Sequence, residues 1–194
     1  MSKLICNVGY IGEGNYKSMI NYKYDPAYRK WYDMLKRCYT AKPLKSQECY
    51  VGCEVDTYWH NYQNFAQWYY TELYPCEDKL VIDKDILYKH NTIYSERTCL
   101  LVPSKINNLF PNAKKVRGKY PVGVSKHRNK YQANCCDGTG KTKYLGSYTS
   151  VEQAFIVYKN YKQQLIKQEA DKYKTILPNK VYEAIINYEI DIND

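Results

Sequence analysis

The segment Tyr144-Leu-Gly-Ser-Tyr-Thr-Ser-Val-Glu-Gln-Ala-Phe155 lies where a strand pattern gives way to a helix pattern. Thr149, with Glu152 three residues later, predicts a helix N-cap and a capping box. The apolar positions that follow recur at helical spacing and are Val151, Ala154, Phe155, Tyr158, Tyr161 and Leu165. The segment therefore predicts a strand that runs directly into an amphipathic helix.

Two more strand patterns precede this segment, each with larger or apolar residues at alternate positions. The alternating residues are Tyr120, Val122 and Val124 in the first pattern and Tyr131, Ala133 and Cys135 in the second. Asp137-Gly-Thr-Gly140 predicts a hairpin turn into a third strand over residues 141–148. We expect a three-stranded antiparallel sheet whose inner face, including Leu145, packs on the helix.

Positive charge is concentrated in this part of the chain. Residues 104–174 carry 15 Lys and Arg against 4 Asp and Glu, whereas residues 1–103 carry 13 against 12 and residues 175–194 carry 1 against 4. Clustered cations gain affinity for a polyanion by displacing the counterions condensed on its phosphates. The excess therefore favours a nucleic-acid partner, although a solvated basic face would have the same composition.

The candidate DNA contacts lie on or beside the outer face of the predicted sheet. Lys130, Gln132, Asn134 and Tyr144 are expected on this face, Lys126 and Arg128 flank it, and Lys143 lies on or beside it. Lysine and arginine bind phosphates or guanine, asparagine and glutamine pair with adenine, and an aromatic ring can contact the methyl group of thymine. The predicted partner is double-stranded DNA, read in the major groove.

The same region resembles a known DNA-binding family. Val122-Gly-Val124, Tyr131-Gln-Ala133, Tyr144-Leu-Gly-Ser-Tyr148 and Glu152-Gln-Ala-Phe155 are similar in order and spacing to the ethylene-response-factor (APETALA-type) domain. The resemblance covers about residues 117–165 and implies a sheet that reads the major groove. Its bacterial and phage members are commonly joined to HNH-type endonucleases. Ser125 and Lys126 stand where the plant domains place arginine, so base preference does not transfer.

The central segment has a second resemblance. Leu80-Val-Ile-Asp-Lys-Asp-Ile86, with residues 94–99 and 102–108, resembles the ββα-metal (HNH) core of phage nucleases, and residues 28–39 and 59–68 resemble their helical lead-in. In that family a histidine deprotonates water, while an aspartate and a helix histidine or asparagine hold one divalent cation. The resemblance implies an α+β chain with a nuclease-like module before the sheet.

The resemblance assigns roles to individual residues. It makes Asp83 the acidic metal ligand and Asn108, or its neighbour Asn107, the ligand on the helix, with Mg²⁺ or a similar ion as cofactor. Lys84 stands where the general-base histidine belongs, and a lysine is a poor base near neutral pH. His90 in the following loop is a candidate substitute. The plain alternative is that Asp83 is a solvated or lysine-paired carboxylate on a strand.

The eight cysteines lack a Cys-x-x-Cys pair, so free thiols are the default expectation. A zinc site at Cys49 and Cys53 with Cys76, Cys99 or His60 stays an alternative. The N-terminus is not typical of a signal peptide and no apolar run approaches the roughly 18 residues of a membrane span. We therefore expect a cytoplasmic protein, in the host cytoplasm if a phage encodes it.

The predicted organisation has five parts. They are an N-terminal arm (1–24), a helical and HNH-like ββα module (25–110), a basic linker (111–118), the sheet and its helix (119–174) and an acidic C-terminal tail (175–194). Three functions fit: a metal-dependent DNA endonuclease or nickase, a DNA-binding regulator without cleavage, and an inhibitor that binds a host nucleic-acid-processing protein. The balance of residues favours DNA binding and leaves cleavage open.

Overall fold

The computed structural model describes residues 4–40, 50–110 and 118–194. It has a mixed α+β fold that divides into two compact units, Met1–Tyr74 with Ile82–Leu101 and Pro75–Val81 with Val102–Asp194. This division differs in position from the predicted linker at 111–118, of which only Gly118 lies within the described residues. No described helix is long and apolar enough to cross a membrane.

The first unit contains two helices and short strand pairs. Its elements are β1 (Met19–Ile20), β2 (Lys23–Tyr24), α1 (Pro26–Tyr39), β3 (Glu54–Val55), α2 (Tyr62–Glu72) and β5 (Ile93–Tyr94). Strands β1 and β2 are antiparallel, and β3 and β5 are parallel. Aromatic side chains form the core, in which Trp31, Trp59, Tyr62 and Phe65 are fully buried.

Residues before α1 are packed rather than forming a loose arm. The Tyr10 N–H donates to the His60 carbonyl and the Tyr62 N–H donates to the Tyr10 carbonyl, both at 2.9 Å. A side chain at Gly9 would meet Trp31 at 2.8 Å and Leu35 at 2.5 Å, so this backbone lies directly on α1. The glycines that gave the segment a weak pattern are what allows this close approach.

Strands β4 (Leu80–Asp83) and β6 (Leu100–Pro103) form a two-stranded sheet, and α3 (Ser104–Asn107) follows β6 directly. The order strand, loop, strand and short helix agrees with the predicted order of elements. Helix α3 has only four residues. Two short strands and one helical turn do not by themselves define a nuclease module.

The second unit contains the expected three-stranded sheet. It is formed by β7 (Val124–His127), β8 (Lys130–Cys136) and β9 (Thr142–Tyr148), antiparallel in the order β7-β8-β9. Asp137 closes the predicted turn, because its Oδ1 accepts hydrogen bonds from the N–H and hydroxyl of Thr139, both at 2.8 Å. The fold class predicted for this region is therefore confirmed.

Helix α4 (Val151–Lys172) packs on all three strands and is followed by α5 (Asn179–Ile186). Ser150, one residue after the predicted Thr149, is the N-cap and accepts from the Gln153 N–H at 3.2 Å. Residues 175–194 are not merely an acidic tail, since Leu177, Val181, Ile185 and Ile190 are buried in this unit. Their apolar side chains provide the reason to pack.

Candidate nucleic-acid interface

The strand register of β7, β8 and β9 separates the sheet into an inner and an outer face. Ala133 on β8 is paired with Val124 and Gly146 and is fully buried against α4, so this set defines the inner face. Residues paired directly across antiparallel strands share a face, and successive residues alternate. Gln132 and its partners Ser125 and Ser147 therefore lie on the outer face.

The outer face is polar along its whole length. Its members by register are Ser125, His127, Lys130, Gln132, Asn134, Cys136, Thr142, Tyr144 and Ser147. Gln132 and Asn134 are half-buried and the others are exposed, with Tyr144 at 57%. We call this set of nine residues the outer face. A sheet face without aliphatic side chains has no apolar surface to bury in a core, which suits a hydrated, charged partner.

Cations lie at one end of the outer face. Arg128 and Asn129 form the two-residue turn between β7 and β8, with Arg128 at a φ of 52°, and Lys130 begins β8. Residues 118–148 hold six Lys and Arg against one Asp. Within residues 4–40, 50–110 and 118–194, no ion pair involves Arg128 or Lys130. Both side chains are exposed and so accessible to phosphate.

Lys143 does not lie where the sequence placed it. It is paired with the inner-face residue Cys135, and its Nζ lies 4.8 Å from the centre of the Tyr161 ring on α4. A β-bulge between Ala133 and Asn134 adds one residue, Leu145, to β9. Successive residues point to opposite faces, so Tyr144 on the outer face requires Lys143 on the inner side.

Lys126 lies beside the outer face rather than on it. It is paired with Tyr131, whose ring contacts Tyr120 at a centroid distance of 5.5 Å, so it belongs by register to the inner side at the exposed edge strand. Its side chain is exposed. Lys126 can therefore contact a phosphate beside the sheet but does not share the outer face with Gln132 and Asn134.

Two contacts from α4 hold the sheet in place. Gly123, at a φ of 76°, lies against the Tyr158 ring so closely that a Cβ there would stand 2.0 Å from a ring carbon. The Lys162 Nζ donates to the Cys136 carbonyl at 3.0 Å, and burial lowers the pKa of this lysine. The apolar spacing of the helix predicted that Tyr158 lies on the face that packs against the sheet. It missed Lys162, because a charged side chain is not counted in an apolar pattern.

The nuclease-like residues lie in a different environment. Asp83 at the end of β4 is half-buried, and its Oδ1 accepts from the N–H groups of Asp85 and Ile86 at 2.8 and 2.7 Å. Burial raises the pKa of the Asp83 carboxyl. Among the described residues no donor contacts Oδ2. One carboxylate oxygen is therefore fixed by backbone and the other is available to a ligand.

Lys84 is held inside the first unit. Its Nζ lies 2.8 and 2.9 Å from the two carboxylate oxygens of Asp85 and 2.6 Å from the Asn91 carbonyl. The Lys84 side chain is 10% exposed, whereas that of Asp85 is 48% exposed. The Lys84 Nζ is therefore held by Asp85 and the Asn91 carbonyl. That Lys84 is a poor general base stays a prediction from the sequence.

The other predicted catalytic and metal residues are not gathered around Asp83 within one unit. His90 is exposed in the loop after β4, at a φ of 59°, whereas Asn107 and Asn108 belong to the second unit. Asn107 Oδ1 is buried without a hydrogen-bond partner among the described residues. No three His, Cys, Asp or Glu residues among them gather as a metal site. Asp83 alone fits a cation ligand, and we derive no step through a metal.

The described cysteines are free thiols, which include Cys53, Cys76 and Cys99. Burial raises the pKa of Cys38 and of Cys99 to about 12, so both stay protonated at neutral pH. Cys49, the other half of the alternative zinc pair, lies outside the described residues.

Neither a family description, a curated protein nor a solved structure matches this chain. Sequence reasoning missed five residues of the outer face, which are Ser125, His127, Cys136, Thr142 and Ser147. These residues could have been found from the alternation of side chains between the two faces of each strand. In β9, that alternation can be followed only when the position of the β-bulge is known.

Proposed function

We propose that this chain binds double-stranded DNA through the outer face of β7, β8 and β9. The observation that carries the proposal is the register, which gathers polar side chains on one open face beside Arg128 and Lys130. Apolar Ala133 and Cys135 are buried on the other face. The resemblance to the ethylene-response-factor domain favours the same surface.

The dimensions of the sheet suit the major groove. Strands lie about 4.8 Å apart, so the two outer strands are separated by roughly 10 Å, close to the groove width of about 12 Å. Arg128 and Lys130 would hold phosphates at the edge of the groove. Gln132 and Asn134, two residues apart on β8, would face base edges, with Tyr144 opposite Asn134 beside a thymine methyl.

The test measures duplex affinity of the full chain over a salt series. Replacing Arg128 and Lys130 together by alanine should weaken binding and flatten the plot of log K against log salt by about 0.9 per lost phosphate contact. Lys143→Ala is the control, compared with the double variant per positive charge removed, because it removes one charge from the helix side of the same sheet. We expect that control to leave the slope close to that of the wild type.

Base reading has a separate signature. Asn134→Ala with Gln132→Ala should leave the salt slope unchanged and reduce discrimination between a preferred and a scrambled duplex, by about 1–3 kcal/mol for each lost bidentate pair. Equal effects of the outer-face and Lys143 variants would reject the outer face as the binding surface. A chain that binds no duplex at low salt would reject DNA binding altogether.

Metal-dependent nicking is a second candidate function, favoured by one observation. Asp83 keeps one carboxylate oxygen without a donor among the described residues, in a setting where burial raises its pKa. Carboxyl groups with shifted pKa values are frequent at functional sites. Under this proposal Asp83 would bind the cation, and the cation would supply charge stabilisation at the phosphate.

Supercoiled plasmid incubated with Mg²⁺, Mn²⁺, Ni²⁺ or Zn²⁺ tests this candidate. Asp83→Ala should abolish cation-dependent nicking and leave duplex affinity nearly unchanged, and His90→Ala tests whether that histidine activates water. Lys84→Ala should affect folding rather than proton transfer, given the contacts of its ammonium group. A wild-type chain that binds DNA and cleaves nothing under these conditions acts as a DNA-binding regulator.

A further inference from the structure

The β1–β2 hairpin has an unusual tip. Met19 pairs with Tyr24 and Ile20 pairs with Lys23, so the turn consists of Asn21 and Tyr22 alone. Both have positive φ, 48° for Asn21 and 60° for Tyr22. Two-residue turns of this kind favour Asn-Gly, because glycine has no Cβ to be strained at the second position. The sequence places a large aromatic ring where glycine would be most stable.

This ring is almost completely exposed. Tyr22 is 99% accessible, and the neighbouring Met19, Ile20 and Tyr24 are all exposed at 43–53%. A non-glycine residue with positive φ is uncommon, and a bulky one is a true outlier of the kind that concentrates at binding sites. The strained backbone at Tyr22 costs free energy, and its exposed ring regains none by packing in the core. The tip of the hairpin is therefore better explained by a ligand outside the chain.

The base of the hairpin is fixed to the core. The Asp25 N–H donates to the Ser18 carbonyl at 3.0 Å, and the buried Asp25 carboxylate accepts from the hydroxyls of Tyr62 and Tyr70 at 3.0 and 2.6 Å. The same carboxylate caps α1 through the Ala27 N–H. These contacts set the direction of the hairpin before any partner binds, which reduces the entropy lost on binding.

The charged residues around the hairpin indicate which class of partner fits it. Lys17 and Lys23 are exposed on the hairpin and its approach, whereas Glu13 is the one acid in residues 4–24. An aromatic face flanked by cations matches a nucleobase between phosphates. A hydrophobic protein groove would match the apolar residues but would gain nothing from the lysines.

We propose that the hairpin is a second nucleic-acid contact in which the Tyr22 ring stacks on a nucleobase and Lys23 binds an adjacent phosphate. The inference rests on the proposed DNA-binding function and adds a contact made by the first compact unit. The base can come from a duplex step opened by the wedge or from a single strand. Both sources offer the same π-face, and the two can be distinguished by experiment.

The test uses the full chain with Tyr22→Gly, Tyr22→Ala and Tyr22→Trp, and with Tyr58→Ala as an exposed tyrosine control, 56% accessible against 99% for Tyr22. Affinity is measured for a duplex and for a single strand, each carrying 2-aminopurine to report unstacking. Tyr22→Gly should raise the thermal midpoint, because it relieves the strained φ, and should weaken binding about tenfold. Tyr22→Trp should retain affinity, and Tyr58→Ala should have no effect.

Salt dependence provides a further readout. Stacking releases no counterions, so the Tyr22 variants should keep the wild-type slope, whereas Lys23→Ala should lower it by about 0.9. Duplex binding by the wild type, with affinity and fluorescence for both the duplex and the single strand unchanged in Tyr22→Gly, would overturn the hairpin contact and leave the outer face intact. Loss of self-association in Tyr22→Gly in place of DNA affinity would also overturn it, in favour of a protein contact.

Discussion

The sheet of the second unit and the segment of the first unit that contains Asp83, Lys84, Asp85 and Asn91, which we call the Asp83 segment, differ in how exposed their cations are. On the sheet, Arg128 and Lys130 are exposed and make no ion pair among the described residues. In the Asp83 segment, the Lys84 ammonium is buried against Asp85 and the Asn91 carbonyl. The resemblances assign nucleic-acid chemistry to both regions, but the arrangement of charge differs.

The difference indicates what each region can bind. Exposed cations gain affinity for a polyanion by displacing the counterions condensed on its phosphates, whereas a cation already bound to a carboxylate has little to gain. In the Asp83 segment the available group is instead one oxygen of Asp83 itself. The sheet is therefore suited to phosphate, and the Asp83 segment is suited at most to a single cation.

The largest effect is expected from the scaffold of the sheet. Gly123→Ala should lower the free energy of unfolding of the second unit by about 3 kcal/mol, since a positive φ and a crowded Cβ add together. The new Cβ would stand 2.0 Å from the Tyr158 ring. Urea unfolding followed by circular dichroism measures the loss. Duplex binding should weaken only where the unit is partly unfolded.

Gly140→Ala is the control for this prediction. Gly140 has a φ of 90° but no atom within 4 Å of an added Cβ, so strain acts without a clash. We expect a loss of about 1 kcal/mol. Equal losses for the two variants would mean that Tyr158 does not clamp the strand, and the outer face would lose its rigid support.

The sheet could be predicted from sequence because its signals are local. Alternation in β8, the Asp137-Gly-Thr-Gly140 turn and the cap beside Val151 each depend on neighbours within a few residues. The start of α1 has an equally local signal, since Asp25 caps the helix and Pro26 takes its first position.

What could not be predicted depends on single residues or on distant contacts. The bulge in β9 adds one residue, which moves Lys143 to the side of Tyr161. The packing of residues 4–16, which belong to the predicted N-terminal arm, could not be predicted because their partners, such as His60 and Gln63, lie some fifty residues away. The pairing of Lys84 with Asp85 and Asn91 has no periodic signature at all.

A second prediction tests whether Lys84 is a structural cation. Lys84→Met should lower the free energy of unfolding by about 2 kcal/mol, because the Asn91 carbonyl loses its charged donor. The loss stays below that of a fully buried ion pair because Asp85 is 48% exposed. Thermal and urea unfolding of the full chain measure it.

Lys36→Met, which removes an exposed lysine from α1, is the matched control and should change stability by less than about 0.5 kcal/mol. If Lys84→Met is equally neutral, Lys84 is as available as the cations of the sheet. The contrast between the two regions would then disappear.

The smallest expected effect comes from a comparison of Asp83 and Asp137, which each form the same kind of turn. Asp83 and Asp137 each accept the N–H two residues ahead at 2.8 Å, and asparagine can keep that bond. Burial raises the pKa of Asp83, whereas the hydrogen bonds from Thr139 lower the pKa of Asp137. One turn therefore favours the protonated acid and the other favours the carboxylate.

Opposite pH dependences follow from these shifts. The contribution of Asp83 to stability is complete below the ordinary aspartate pKa of about 3.9 and is lost as pH rises through its raised value. Asp83→Asn should therefore be more stable than the wild type at pH 7, with the gain vanishing in acid. Asp137→Asn should be less stable at pH 7, with the deficit shrinking as pH falls through the lowered pKa. Urea midpoints between pH 3 and pH 8 measure both trends. A carboxylate whose charge destabilises the fold is typical of a functional group. If the stabilities of Asp83→Asn and Asp137→Asn change with pH in the same direction, the physical argument for a cation at Asp83 is removed.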